Sequence, residues 1–303
     1  MRWENRRRSR NIEDRRGQPQ KRIAAGAGSG LLFRLLPLLF RKLGFKGVIA
    51  VGAGLFVLGQ MGVDIPGLLL NQPATASQSA PPAFTAEEQR LAEFTSVILA
   101  DTEDTWKALF AERGEDYPEP KLVLFTGATR SACGLGQAAM GPFYCPGDRK
   151  VYIDLSFFRD MEVQLNAPGD FAQAYVIAHE VGHHIQTVLG ISSKIHAQKQ
   201  RVSKLEANQL SVRQELQADC LAGVWGHHAD RARQMLEEGD LQEALVAAQA
   251  IGDDRLQKQA RGYVTPESFT HGSSAQRLRW FKRGMTSGDF ADCDTYSQTM
   301  QQL

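Results

Sequence analysis

The chain has 303 residues, 43% of them hydrophobic, which is enough for one large domain or two modest ones and excludes a small stapled scaffold. Its net charge of +1 hides an asymmetry: residues 1–46 hold 13 Lys and Arg against 3 Asp and Glu, leaving 22 basic and 31 acidic residues afterwards. A basic head on an acidic body points to an electrostatic division between two compartments and excludes a basic nucleic-acid module.

In chain order, the basic segment 1–46 contains a short apolar run, Leu31 to Phe40, broken by Arg34 and Pro37, which fits an interfacial position better than a span. Gly47 to Val63 carries no charge, and the apolar character continues past Asp64 and Pro66 to Leu70. That length predicts one transmembrane helix over 47–70. With the arginines and lysines before it, the positive-inside rule predicts a cytoplasmic N-terminus and an exported body, periplasmic or otherwise extracytoplasmic. Ala74-Thr75-Ala76 also resembles a small-residue cleavage site, and cleavage there would export the body equally. Residues 71–82, small, polar and proline-rich, read as a linker.

The body, 83–303, opens with a capping-box pattern at Thr85 and Glu88 ahead of a long amphipathic helix that ends at Gly114. Lys121 to Thr126 and Lys150 to Leu155 read as strands, with a glycine-rich Cys133 to Cys145 loop between them. The second strand is expected to be able to pair with an extended peptide. Asp170 and Gln173 resemble another N-terminal cap, for a helix that runs to Leu189 and is stopped by Gly190. Further helices are expected at about Ser193 to Asn208, Val212 to Gly226, Leu241 to Ala250 and Ser274 to Arg283, the last closed by Gly284. Four cysteines, Cys133, Cys145, Cys220 and Cys293, form an even set in an oxidising place. Three pairings are possible. The simplest joins Cys133 to Cys145 and Cys220 to Cys293.

The chemistry lies in the Asp170 helix, where His179-Glu180-Val181-Gly182-His183 forms the HExxH pattern. Two histidines four residues apart differ by ~40° in direction, so both reach one metal from one face, whereas His184 points ~140° away from His179. Glu180 is placed to take a proton from the attacking water. A catalytic zinc needs a third protein ligand. Gln186 and Leu189 occupy the positions of the metzincin glycine and histidine, which rejects that class. Glu215-Leu216-Gln217-Ala218-Asp219 supplies the alternative: Glu215 as third ligand and Asp219, on the same helical face, orienting a ligand histidine. The surrounding apolar residues argue that these carboxylates are buried and therefore partnered. His271 and Arg277, near the start of the last helix, read either as support for an oxyanion or as a plain cap and surface arginine. His196, His227 and His228 read as solvated.

HEVGHH at 179–184, ELQADCLAGVW at 215–225 and FTHGSSAQRLRWF at 269–281, after an arginine-rich head and one span, resemble the neutral zinc metallopeptidase family of bacterial membrane proteins. The ExxxD element and the late His and Arg also look like the membrane gluzincins that include the heat-shock membrane protease and the CAAX prenyl protease. That resemblance implies active-site roles for His271 and Arg277. Those relatives embed the site among several spans, whereas one span here implies an exported, water-soluble domain.

The expectation is a mostly helical α+β, zincin-like domain with a small sheet on one N-terminal transmembrane helix. It would bind one Zn2+ per chain through His179, His183 and Glu215 and cleave peptide or protein substrates of the cell envelope. Glu180 would serve as general base and His271 would assist. The alternative is an inert metal-binding interaction protein of the envelope, which has no need of Glu180.

Overall fold

The structure, a computed structural model, describes residues 1–18 and 84–303. Its elements are β1 (Ile12–Asp14), α1 (Ala86–Ala111), β2 (Lys121–Phe125), β3 (Ala128–Ser131), β4 (Gly134–Gln137), β5 (Phe143–Cys145) and β6 (Lys150–Asp154), followed by α2 (Ser156–Leu165), α3 (Asp170–Val188), α4 (Ile191–Lys199), α5 (Lys204–Arg233), α6 (Asp240–Ala250), α7 (Asp253–Arg261) and α8 (Ser274–Ser287). This is the mostly helical α+β architecture with a small sheet that the patterning predicts. The sheet order is β1-β2-β6-β5, with the first three strands parallel and β5 antiparallel at the edge. A separate hairpin joins β3 to β4. β2 and β6 are apolar runs because they lie inside the sheet. For the same reason β6 has no edge to offer a peptide. The outer strand is β5, inside what reads from sequence as a glycine-rich loop.

Thr85 and Glu88 form the expected capping box on α1. The expected single helix from Ser193 to Asn208 is in fact two helices, because Ser203 and Glu206 make a capping box that starts α5 afresh. From there α5 runs unbroken through the expected gap before Val212. Gly284 does not end α8, which continues to Ser287 and closes on Gly288 at φ +66°. Both cysteine pairs are disulfides, Cys133 with Cys145 and Cys220 with Cys293, and no cysteine is free.

Among the described residues no helix is long and apolar enough to cross a membrane. The expected span at 47–70, the run at 31–40, the linker at 71–82 and the cleavage site near Ala76 lie outside the described residues.

Of the segment 1–46 read as standing apart, Met1–Gly17 belongs to the same compact unit as the chain from Ala83 to Leu303. β1 pairs with β2 in the register Ile12 to Leu122, Glu13 to Val123 and Asp14 to Leu124. Trp3 is buried edge-on against Phe94 at 5.3 Å. Glu103 on α1, 1% exposed, accepts from Ser9, Asn11 and Arg7. Arg7 also bonds Asp104, Arg8 pairs with Glu93, and Arg16 pairs with Asp14 while donating to the Glu88 carbonyl. The Met1 amine lies 2.9 Å from Asp170, the first residue of α3 and not its cap, and 3.3 Å from Asp240 at the start of α6. Residues 1–17 thus neutralise acidic groups of the body, Glu93, Glu103 and Asp104, by direct contact.

Trp3→Ala removes a ring buried in this joint, and chemical denaturation should show a loss of about 3 kcal/mol, the low end for an aromatic truncation in a core. An unchanged midpoint would mean that the head is not part of the folded unit.

Candidate metal centre

Three helices meet around one carboxylate. α3 lies close against α5 at Gly182, where an added Cβ would stand 3.0 Å from the Ala218 carbonyl oxygen. α8 crosses α5 closer still: a Cβ at Gly284 would lie 1.9 Å from the Cys220 oxygen, and one at Gly223 2.2 Å from the Phe281 oxygen. Only glycine permits that crossing, and the Cys220–Cys293 disulfide ties the C-terminal segment to α5 beside it.

At the junction Asp219 is fully buried. It accepts from His179 Nδ1 at 2.9 Å, from the Tyr175 hydroxyl at 2.5 Å, and from Arg277 Nε and Nη2, both at 2.9 Å. Burial alone would raise the carboxyl, but Arg277 and His179 outweigh it and hold it below the usual range. With Nδ1–H given to Asp219, His179 turns Nε2 toward Glu215 Oε2 at 3.2 Å, and His183 Nε2 lies 3.5 Å from Glu215 Oε1. One donor atom from each of His179, His183 and Glu215 lies within 4.8 Å of the others, a geometry suited to one ion. Asp170, Asp240 and Glu243 make a second such group, at which the Met1 amine already sits.

Gln186 is the partner the sequence does not disclose for His183. It accepts from His183 Nδ1 at 2.9 Å and donates to Gln214 O and Gln217 Oε1. A carboxamide thus does for His183 what Asp219 does for His179: it fixes the tautomer so that Nε2 is free to ligate. The structural reason for Gln186 at the metzincin glycine position is this bond.

The electrostatics favour a cation here. Burial pulls His179 down, but Asp219 and Glu215 outweigh it and raise it to about 9, and Glu215 likewise drives His183 up. Glu215 itself sits well below the carboxylate range, because the two histidines overcome its burial. Glu180, buried on the next residue of α3, is pushed up chiefly by desolvation.

These groups open onto a cleft of about 580 Å³ lined by Tyr144, Tyr175, Glu180, Glu215, His271 and Arg277 among others. His271 reaches it from the turn before α8. Its Nδ1 lies 3.2 Å from Asp253 Oδ1, while Asp253 Oδ2 accepts the backbone N–H groups of Thr270, His271 and Gly272. Arg277 differs from a surface arginine or a free oxyanion donor: it is 2% exposed, and its guanidinium is occupied by Asp219 and the Ile251 carbonyl. His184, buried and lowered to about 4 by desolvation, faces away from the three donors, toward Pro118 O and Tyr144. His196 is exposed as expected, but His227 and His228 are not simply solvated. They meet the Met285 and Gly288 carbonyls at the end of α8.

A family model described as "Putative neutral zinc metallopeptidase" matches residues 1–296. The chain belongs to this family. It is 52% identical over 300 residues to the Escherichia coli K12 protein named "Uncharacterized protein YpfJ", covering 99% of this chain and all of that one. It is 38% identical over 255 residues to "Uncharacterized protein Mb2605" of Mycobacterium bovis and to "Uncharacterized protein Rv2575" of Mycobacterium tuberculosis, over 78% of this chain and 84% of each. No solved structure matches. The family match begins at residue 1, so it includes the head that packs on the domain.

Gly284→Ala tests the helix crossing on which the centre rests. The added Cβ collides with backbone, so α8 must shift, and the urea midpoint should fall by the equivalent of about 1–3 kcal/mol, the range for overpacking.

Proposed function

We propose that the chain is a membrane-attached zinc metallopeptidase that hydrolyses peptide bonds, with one zinc held by His179, His183 and Glu215 and with Glu180 as general base. The observation that carries this reading is the convergence of those three donors beside the buried Glu180 in one open cleft. Two imidazole nitrogens and a carboxylate fit a catalytic zinc, which takes three protein ligands and keeps a fourth position open. Each histidine also has its far nitrogen held, one by Asp219 and one by Gln186. Zinc bound there supplies a Lewis acid that polarises the scissile carbonyl and makes water more acidic.

The protein's own groups then divide the work. Glu180 accepts the proton of the attacking water and passes it to the leaving amine. His271, oriented by Asp253, donates toward the oxygen on which negative charge develops. The free edge of β5, bordering the cleft, offers main-chain hydrogen bonds to an extended substrate. A site that bound metal only for stability would have no use for Glu180, which favours turnover over the inert alternative.

Membrane attachment through the apolar runs 31–40 and 47–70 is part of the same reading, with one change to the expected topology: together they enter and leave the membrane on one side. The pairing of β1 with β2 supports a topology in which Met1 and the domain share a compartment, in place of a cytoplasmic head on an exported domain. The disulfides favour the exported side for both. Compartment reporters fused at the two ends should report the same side, and reporters on opposite sides would overturn this topology.

Glu180→Gln keeps size and polarity but cannot act as a base. The variant should retain zinc and fold while losing about 10²- to 10⁴-fold in turnover on an accepted peptide. Undiminished cleavage by zinc-loaded, homogeneous Glu180→Gln protein would refute the mechanism.

Zinc affinity should also depend on pH in a specified direction. His179 without metal holds its proton up to about 9 instead of the usual 6.5, so below that pH the ion must displace it. Competition titrations should show affinity still climbing between pH 7 and pH 9, with protons released on binding. A plateau above pH 7 would contradict the raised value.

A further inference from the structure

β5 is only three residues long, and all three of its side chains are tied to different parts of the fold. Phe143 stacks on Tyr152, ring centroids 4.8 Å apart and planes 6° off parallel, and its other side closes on Gly136, where a Cβ would lie 2.4 Å from the ring. Cys145 is bonded to Cys133. Tyr144, on the wall of the cleft, places its hydroxyl 3.0 Å from His184 Nδ1. So short a strand at the edge of a sheet, with one partner strand, holds few backbone hydrogen bonds of its own. Its position is therefore set by these side chains.

The His184 contact is the one that reaches the metal helix, and its direction can be worked out. His184 Nε2 lies 2.6 Å from the Pro118 carbonyl oxygen, which only accepts, so Nε2 carries the hydrogen. A neutral imidazole then has its lone pair on Nδ1, and the Tyr144 hydroxyl must donate to it. His184 therefore links three pieces in one fixed tautomer: the loop before β2, helix α3 immediately after ligand His183, and the edge strand β5. Tyr117 and Tyr144 enclose its ring edge-on at 5.8 and 5.5 Å.

We propose that His184 is a positioning residue that holds the substrate-pairing edge, through Tyr144, at a set distance from the metal centre. The inference rests on the reading of β5 as the strand that receives an extended peptide. Ligation lies with one side of α3 and placement of the substrate with another, and the adjacent histidines His183 and His184 serve one role each.

The test uses the full chain with Tyr144→Phe, His184→Phe, the double variant and His184→Gln, which keeps an N–H for Pro118 and an oxygen for Tyr144. Zinc content, melting temperature, hydrogen exchange of the segment 142–146, and kcat and KM on an accepted peptide are measured for each. Tyr144→Phe and His184→Phe should keep one zinc, speed exchange in 142–146 and raise KM about five- to tenfold, the worth of one lost hydrogen bond, with kcat within about twofold. The double variant should be no worse than the worse single, and His184→Gln should recover most of the effect. Wild-type exchange and KM in Tyr144→Phe would overturn the proposal even if His184→Phe fails to fold. So would zinc, kcat and KM all failing together in a folded His184→Phe, which would make His184 a support for the ligands. If the wild type cleaves no peptide at all, the peptidase reading falls, and the exchange data still decide whether His184 positions β5.

Discussion

The buried carboxylate of Asp219 is the constraint on which the rest of the centre depends. An ionised group with no solvent exposure costs several kcal/mol unless it is paired and hydrogen-bonded. Here four donors from two other helices satisfy it: Tyr175 and His179 from α3, and two guanidinium nitrogens of Arg277 from α8. For Arg277 to reach it, α8 must lie against α5 closely enough for Gly284 and Gly223 to meet opposing backbone. For His179 to reach it, α3 must lie against α5 at Gly182. Once the three helices are held by this anion, Glu215, one turn earlier on α5, faces His179 and His183 without a further device.

The same logic of contact accounts for the charges of the first seventeen residues. Counting charges along the sequence divides it into a basic head and an acidic body and invites a membrane between them. Charge totals carry no information about which groups touch. In the fold, the arginines of the first seventeen residues meet Glu93, Glu103, Asp104 and Asp14 directly, and β1 occupies the edge that β2 would otherwise expose. An unpaired parallel edge is a liability in any sheet, and a short strand fastened by ion pairs on either side of it is a physical answer. The two signs therefore belong to one surface of contact.

Most of what the sequence shows of the site depends on spacing within a single helix. His179 with His183 and Glu215 with Asp219 are four apart, so periodicity alone puts each pair on one face, and Thr85 with Glu88 is a local capping pattern. What could not be read depends on partners from elsewhere in the chain. Tyr175 carries no local signal that Asp219 stands opposite it, and Gln186 reads only as a departure from the metzincin spacing, with nothing local to show that His183 donates to it. Gly284 looked like a helix stop because C-terminal glycines usually are, but its role is the close approach of α5. β5 hid in a glycine-rich loop because three residues carry no period. Ser203 and Glu206 form a local capping-box pattern, and it divides the helix expected from Ser193.

The support for His271 is separate from the support for the three donors, and this separation follows from the geometry. α7 and α8 begin side by side: Gly252 lies 2.4 Å, by its Cβ position, from the Ser274 nitrogen, and Asp254 accepts from both the Ser274 N–H and its hydroxyl. Asp253, the first residue of α7, collects the three N–H groups of the turn 270–272 on one oxygen and the His271 ring on the other. An acidic residue in a first turn is already favoured by the helix dipole, and at Asp253 the contacts to His271 and the turn overcome the cost of burial to keep it ionised. The ring of His271 is thus aimed by an anion that makes no contact with Asp219 or Gln186. The three donors and the His271 ring are held by different groups, so a defect at Asp253 should reach His271 while leaving the three donors where Asp219 and Gln186 hold them.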